Sequence, residues 1–192
     1  MEKDTRKKTK KMILTALMAA FTCIATMIIK IPTPTLGYIH LGDGLVLLCG
    51  FMLGPAPGAL AAGTGSMFAD IFSGYLSFAP ATCIIKALAA GAAGMLSTAL
   101  LKRIHFARRH SLAALTGGIL GEAIMVTGYF LYEAGLAAFA SGGLTPAALA
   151  AGAASSAAGI PFNIAQGVAG IAISMLLLPI LQTAPGIKGH SS

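Results

Sequence analysis

The sequence predicts an all-α membrane protein, with six transmembrane helices in one bundle and both termini in the cytoplasm. Three observations carry this expectation. Hydrophobic residues make up 56% of the 192 and charged residues only 10%, with a mean hydropathy of +0.83, a balance foreign to a water-soluble globule of this size. Uncharged stretches recur along the chain, and one helical crossing of hydrocarbon takes roughly 20 apolar residues. The 13 Lys and Arg gather mainly at 3–11 and 102–109, so the net charge of +7 reads as a topology signal and not as a nucleic-acid footprint.

Breaks at Pro, Gly and charge place the spans at 12–29, 41–53, 58–72, 81–101, 112–137 and 161–181. The first is uncharged throughout and reads as a retained span rather than a cleaved leader. Ile31-Pro32-Thr33-Pro34-Thr35-Leu36-Gly37 separates it from the second. Gly54-Pro55-Ala56-Pro57-Gly58 forms a tight turn before the third. The second and third spans are short, which implies tilting or burial inside the bundle. The stretch 138–160, rich in Ala, Gly and Ser, is expected to be an outer loop carrying a short helix, because a seventh span would move the carboxyl terminus outside.

With the amino terminus in the cytoplasm, the clusters at 3–11 and 102–109 and Lys188 share the inner side. Lys30 then stands at the outer mouth of span one and Lys86 within span four. The organisation follows: a basic cytoplasmic tail at 1–11, a six-helix transmembrane domain at 12–182 and a tail at 183–192. Ala16 and Ala20 form a small-x-x-x-small pair on span one, a spacing that lets another helix of this chain or of a partner approach closely.

A charge in hydrocarbon costs about 2.5–3.5 kcal/mol on insertion scales, so each buried one requires a reason. A rise of about 1.5 Å per residue sets Asp70 and Lys86 at similar depths in the outer half. They are expected either to neutralise each other or to bind solute, and both roles hold if solute competes for one partner. Glu122 falls near mid-membrane, with no role assigned by position. Asn163 and Gln166, three apart, share a helix face and present two amides, either to a neighbouring helix or to a ligand. Asp43 opens span two, where a carboxylate suits capping of free backbone N–H groups. Tyr38, Tyr75, Tyr129 and Tyr132 all fall in the outer third, which suits an aromatic pocket better than a two-sided interfacial belt. His40 is a loop histidine within reach of the same layer.

Other chemistries find no support. Cys23, Cys49 and Cys83 are odd in number, lack a C-x-x-C spacing and lie in apolar stretches, so they read as small hydrophobes, with neither a disulfide nor a metal expected. There is no phosphate-loop motif, no H-E-x-x-H and no nucleophile motif, so neither an enzyme nor a cofactor is indicated. What remains is a binding cavity without an engine, or a self-sufficient proton- or ion-coupled carrier relaying through Asp70, Glu122 and Lys86.

Several ordered segments resemble the S components of energy-coupling factor (ECF) transporters. They are Tyr38-Ile39-His40-Leu41-Gly42-Asp43, Leu53-Gly54-Pro55 with Gly58, Gly63-Thr64-Gly65-Ser66, Ala69-Asp70 with Ser73-Gly74-Tyr75, Ile84-Ile85-Lys86-Ala87-Leu88 and Pro161-Phe162-Asn163-Ile164-Ala165-Gln166-Gly167. The likeness covers nearly the whole chain. It is nearest to the riboflavin-type branch, with members linked to pyridoxine or hydroxymethylpyrimidine. The resemblance implies a six-helix subunit of the bacterial plasma membrane that captures a water-soluble vitamin or precursor from outside. It also implies association with a transmembrane coupling subunit and two cytoplasmic ATPase subunits, and toppling in the membrane to deliver the cargo. Ala16 and Ala20 match the small-residue motif that meets the coupling subunit. Tyr38, His40, Asp43, Asp70, Tyr75, Lys86, Tyr129, Asn163 and Gln166 are the expected substrate-binding set.

Overall fold

A computed structural model describes residues 2–35, 37–104 and 108–183. Lys188 and all of the expected carboxyl-terminal tail after Thr183 lie outside the described residues. The chain is almost entirely helical: α1 (Glu2–Ile28), α2 (Asp43–Leu53), α3 (Pro55–Phe72), α4 (Ala79–Arg103), α5 (Arg109–Ala140), α6 (Pro146–Ser156) and α7 (Ile160–Thr183). Two short strands, β1 (Lys30–Pro32) and β2 (Tyr38–His40), pair antiparallel between α1 and α2. Among the described residues, four segments are long and apolar enough to cross a membrane: α1 from Asp4, α4, α5 and the α6–α7 segment Pro146–Thr183.

Local chemistry sets the helix ends. The turn expected over 54–58 shrinks to a single residue. Gly54 takes φ +81°, which only glycine adopts without strain, and Pro55 starts α3 at once, because the first helical turn needs no N–H from it. The break expected at 31–37 is a hairpin instead, with Ile31 opposite Ile39 and Pro32 opposite Tyr38. Alternation over three-residue strands is too short to be seen as a period. The segment 138–160 contains α6, capped by Thr145 accepting from the Ala148 N–H at 3.2 Å, and a 3₁₀ turn at Ala157–Gly159. At 11 residues, α6 is about 16 Å long, half the thickness of a hydrocarbon core.

The core forms around α2, which packs against α1, α3, α4 and α7. Val46, Leu47, Leu48 and Cys49 are inaccessible in its middle. Backbones approach closely where side chains are absent. A Cβ placed on Gly94 of α4 would come within 2.5 Å of the Gly50 carbonyl oxygen on α2, and one on Gly117 of α5 within 2.6 Å of the Ala93 carbonyl oxygen. This is how helices associate where no water drives them together. On α1, Met18, Thr22 and Thr26 recur at four-residue intervals on the buried face, while Ile13, Leu17, Phe21, Ile24 and Ile28 are exposed, an apolar outer face of the kind lipid covers.

Candidate functional site

Polar side chains from five elements converge beside the hairpin. Asp43 in the first turn of α2 and Lys86 in the second turn of α4 form an ion pair with no solvent exposure. Gln166 of α7 completes it: its Nε2 donates to Asp43 Oδ2 at 2.6 Å, and its Oε1 accepts from the His40 backbone N–H at 2.7 Å. His40 Nδ1 in turn accepts from the Gly42 N–H at 3.0 Å. One amide thus ties α7, α2 and β2 together. The Lys86 ammonium also lies 5.2 Å from the centroid of the Tyr129 ring, a cation–π distance.

A second set stands closer to the hairpin. The Tyr38 hydroxyl donates to Asp70 Oδ1 at 2.7 Å, and the Tyr38 ring lies 4.5 Å from Tyr75 and 5.5 Å from His40. Tyr129 shares a hydrogen bond of 3.0 Å with Thr82. Between the two sets lies a small cavity lined by Tyr38, His40, Asp70, Tyr129, Asn163 and Gln166, and also by Thr33, Phe78, Thr82 and Glu133. Its volume is about 20 Å³, room for a water or two.

Burial and, after it, the neighbouring Lys86 ammonium push His40 down to about 4, so the imidazole is neutral and free to accept at Nδ1. Tyr38 is shifted upward by burial and by the Asp70 carboxylate it bonds, and it remains a donor.

The arrangement corrects two expectations. Lys86 pairs with Asp43 and not with Asp70, whose hydrogen-bonding partner is Tyr38. Equal depth fixes one coordinate only, and the azimuth of each side chain around its helix decides which groups meet. Asp43 is also not the cap of α2: Gly42 occupies that position without a side-chain bond, because a buried carboxylate gains more from an ammonium and an amide than from N–H dipoles. Asp43, Lys86 and Tyr75 stand behind the cavity wall, the first two as its electrostatic support and the third as packing for Tyr38.

Glu133, Thr82, Phe78 and Thr33 are lining residues that the sequence reading did not single out. A signal existed for two of them. Glu133 lies four residues after Tyr129, and Thr82 four before Lys86, so each shares a helix face with a residue already in the set. Ala16 and Ala20 are exposed on α1, beside a groove whose opposite wall is built from Leu60, Thr64 and Phe68 of α3.

Residues 6–183 match the family model described as the S component of ECF-type riboflavin transporters. An uncharacterized Pyrococcus woesei protein, described as lying in the gap 3′ region, is 41% identical over 64 residues, which are 33% of this chain and 43% of that relative. The match therefore spans less than half the length of this curated relative. A solved structure, described as the S component of a bacterial ECF transporter, superposes with a TM-score of 0.62 at 19% identity, covering 91% of this chain and 96% of that one, which speaks for the fold. The chain belongs to the S components of ECF-type riboflavin transporters, the substrate-binding, non-enzymatic membrane subunits of such systems.

Proposed function

We propose that this S component captures a small water-soluble vitamin or vitamin precursor at the outer face of a bacterial plasma membrane, for ATP-driven uptake by partner subunits. The solute is of pyridoxine or hydroxymethylpyrimidine type, with riboflavin as the neighbouring choice. S components work with a membrane coupling subunit and ATPases. In this reading two ATPases power the assembly, and the coupling subunit seats on α1 at Ala16 and Ala20. The helices cross six times, with both termini inside.

The observation that carries the reading is the gathering of buried polar groups from β2, α3, α4, α5 and α7 around one cavity, each of which would otherwise be costly in an apolar bundle. Solute-sized pockets run to about 300 Å³ or more, so a vitamin enters only as the cavity opens. The hairpin and the 3₁₀ turn are the movable sides, because the helical sides are locked by Gly–backbone contacts. The test is binding of a vitamin panel to the purified protein, with ATP-dependent uptake measured in cells carrying the partner subunits. Failure of every vitamin to bind overturns the reading.

The rival reading, an ion-coupled carrier using Asp70, Glu122 and Lys86, is weakened by the pairing itself. Asp70 is bonded to Tyr38 and Lys86 to Asp43, so Asp70 does not join Lys86 directly, while Glu122 stands beside Asp43 where both flank Gly170. Uptake that persists in a proton uncoupler but requires the ATPases separates the two.

A further inference from the structure

The cavity contains two carboxyl groups with unfinished hydrogen bonding. Asp70 Oδ2 and Glu133 Oε2 are both buried without a hydrogen bond of good geometry, the hydroxyls of Thr82 and Thr35 being their neighbouring donors; their side chains belong to residues only 4% and 6% exposed, and both residues line the same small space. The Glu133 carboxylate lies under the backbone of Gly37 and Gly159, where an added Cβ would come within 3.2 Å of Oε1 and Oε2 respectively. Glycine at these two positions keeps room over the acid. A buried acceptor left unmade costs about 1–3 kcal/mol, and more when charged. Two such groups facing one cavity are more economically explained by a ligand that supplies donors than by packing.

The surrounding charges give the ligand its sign. Among the described residues, no Lys or Arg lines the cavity. The nearest ammonium, Lys86, is committed to Asp43 behind the wall. Lys30 is exposed at the rim, where it donates to Ser73 Oγ at 2.7 Å. His40 is neutral and accepts at Nδ1. An anionic ligand would meet two acids, with the ammonium groups of Lys86 and Lys30 held outside the lining over the rings of Tyr129 and Tyr38 at 5.2 and 5.7 Å, whereas a cation would complete the bonding of both carboxyl oxygens with charge-assisted hydrogen bonds. The half-buried Tyr38 and Tyr129 and the buried Phe78 supply aromatic walls for a flat ring.

Building on the solute-capturing reading above, we propose that the ligand is a small aromatic or heteroaromatic cation whose protonated nitrogen or amino group donates to Asp70 Oδ2 and Glu133 Oε2. Carboxylate- and phosphate-bearing vitamins are excluded by the same two acids.

The experiment is calorimetric titration of the full chain in lipid nanodiscs at neutral pH. The probes are thiamine and pyridoxamine as cations, 4-pyridoxate and pantothenate as anions and riboflavin as a neutral ring. At least one cation is expected to bind at least about 100-fold more tightly than either anion. Glu133→Gln and Asp70→Asn, both near-isosteric, are each expected to weaken that cation about tenfold or more and to narrow the gap to the anions. The comparison of cations with anions in the unsubstituted protein stands even if a variant fails to fold. An anion that binds as well as the cations, riboflavin preferred over every cation, or an unchanged gap in a folded Glu133→Gln protein overturns the cation assignment while leaving vitamin capture intact. Binding of none of the five overturns the cation assignment, and the vitamin panel described above decides capture separately.

Discussion

Lys86 of α4 and Asp43 of α2 form an ion pair from which water is excluded entirely, and Gln166 of α7 bonds the second carboxylate oxygen. Removing one partner of such a pair leaves an uncompensated charge, at a cost of about 3–5 kcal/mol, whereas replacing both by apolar groups is often neutral. Lys86→Met and Asp43→Leu alone are therefore each expected to lower the unfolding temperature sharply in detergent, and the double variant to recover most of the loss. A double variant no better than the worse single would show that the two charges act independently.

Protonation of His40 gives a defined pH dependence. Its value falls from the ordinary 6.5 to about 4 in the folded chain, so between these pH values the unfolded chain binds more protons and stability drops as pH falls. The contribution is complete above about pH 6.5 and gone below about pH 4, with an upper bound of about 3 kcal/mol. In thermal unfolding between pH 7 and 4, His40→Gln is expected to flatten the slope. Parallel curves for the two proteins would place the pH sensitivity elsewhere.

The crossing of α2 and α4 depends on Gly94, where a Cβ meets the Gly50 carbonyl oxygen at 2.5 Å. Gly94→Val should cost about 1–3 kcal/mol through forced separation of the helices. Gly91 on the same helix has only ordinary contacts, 3.4 Å to Ala59 Cβ and 3.7 Å to the Pro55 carbonyl oxygen, so Gly91→Ala is expected to be neutral or to stabilise slightly. Equal losses in urea or thermal unfolding would deny the close approach its special role.

Asn163 lines the cavity and is buried, but unlike Gln166 it takes no part in the Asp43 network. Asn163→Ala is expected to weaken solute binding about tenfold, the value of one good hydrogen bond to a buried ligand, with little change in unfolding temperature. Gln166→Ala is expected to impair both. Titration and thermal unfolding on the same preparations distinguish these outcomes.

Bulk on the exposed face of α1 is expected to act on assembly alone. Ala16→Trp and Ala20→Trp should abolish co-purification with the coupling subunit while leaving solute affinity unchanged, because both positions lie on the groove beside α3 and away from the cavity. Intact assembly in both variants would remove the partner role from this face.

Much of the fold was legible because a helix in lipid is announced by composition and punctuated by Pro and Gly. Pro55, Pro80 and Pro146 all lie in the first turn of a helix. The hairpin at Lys30–His40 was not legible, since two three-residue strands show no period and their pairing is held by what they cover. Within the site, depth along a helix was readable and azimuth was not. This is why the sequence sets Asp70 and Lys86 at one depth without showing that Lys86 turns to Asp43, and why it gives Glu133 no more than a place one turn beyond Tyr129. Gln166 bonds Asp43 of α2 and the His40 backbone and also lines the cavity, so neither of its two expected partners is set aside.

A cavity of about 20 Å³ also governs timing. In the proposed reading solute meets a closed cavity, so its association rate is set by how often the hairpin and the 3₁₀ turn part, and it saturates well below the diffusional ceiling as concentration rises. The same closure would lengthen the dwell time of a captured molecule. A scavenging subunit gains from this whenever nutrient is scarce and vacant partner assemblies are few.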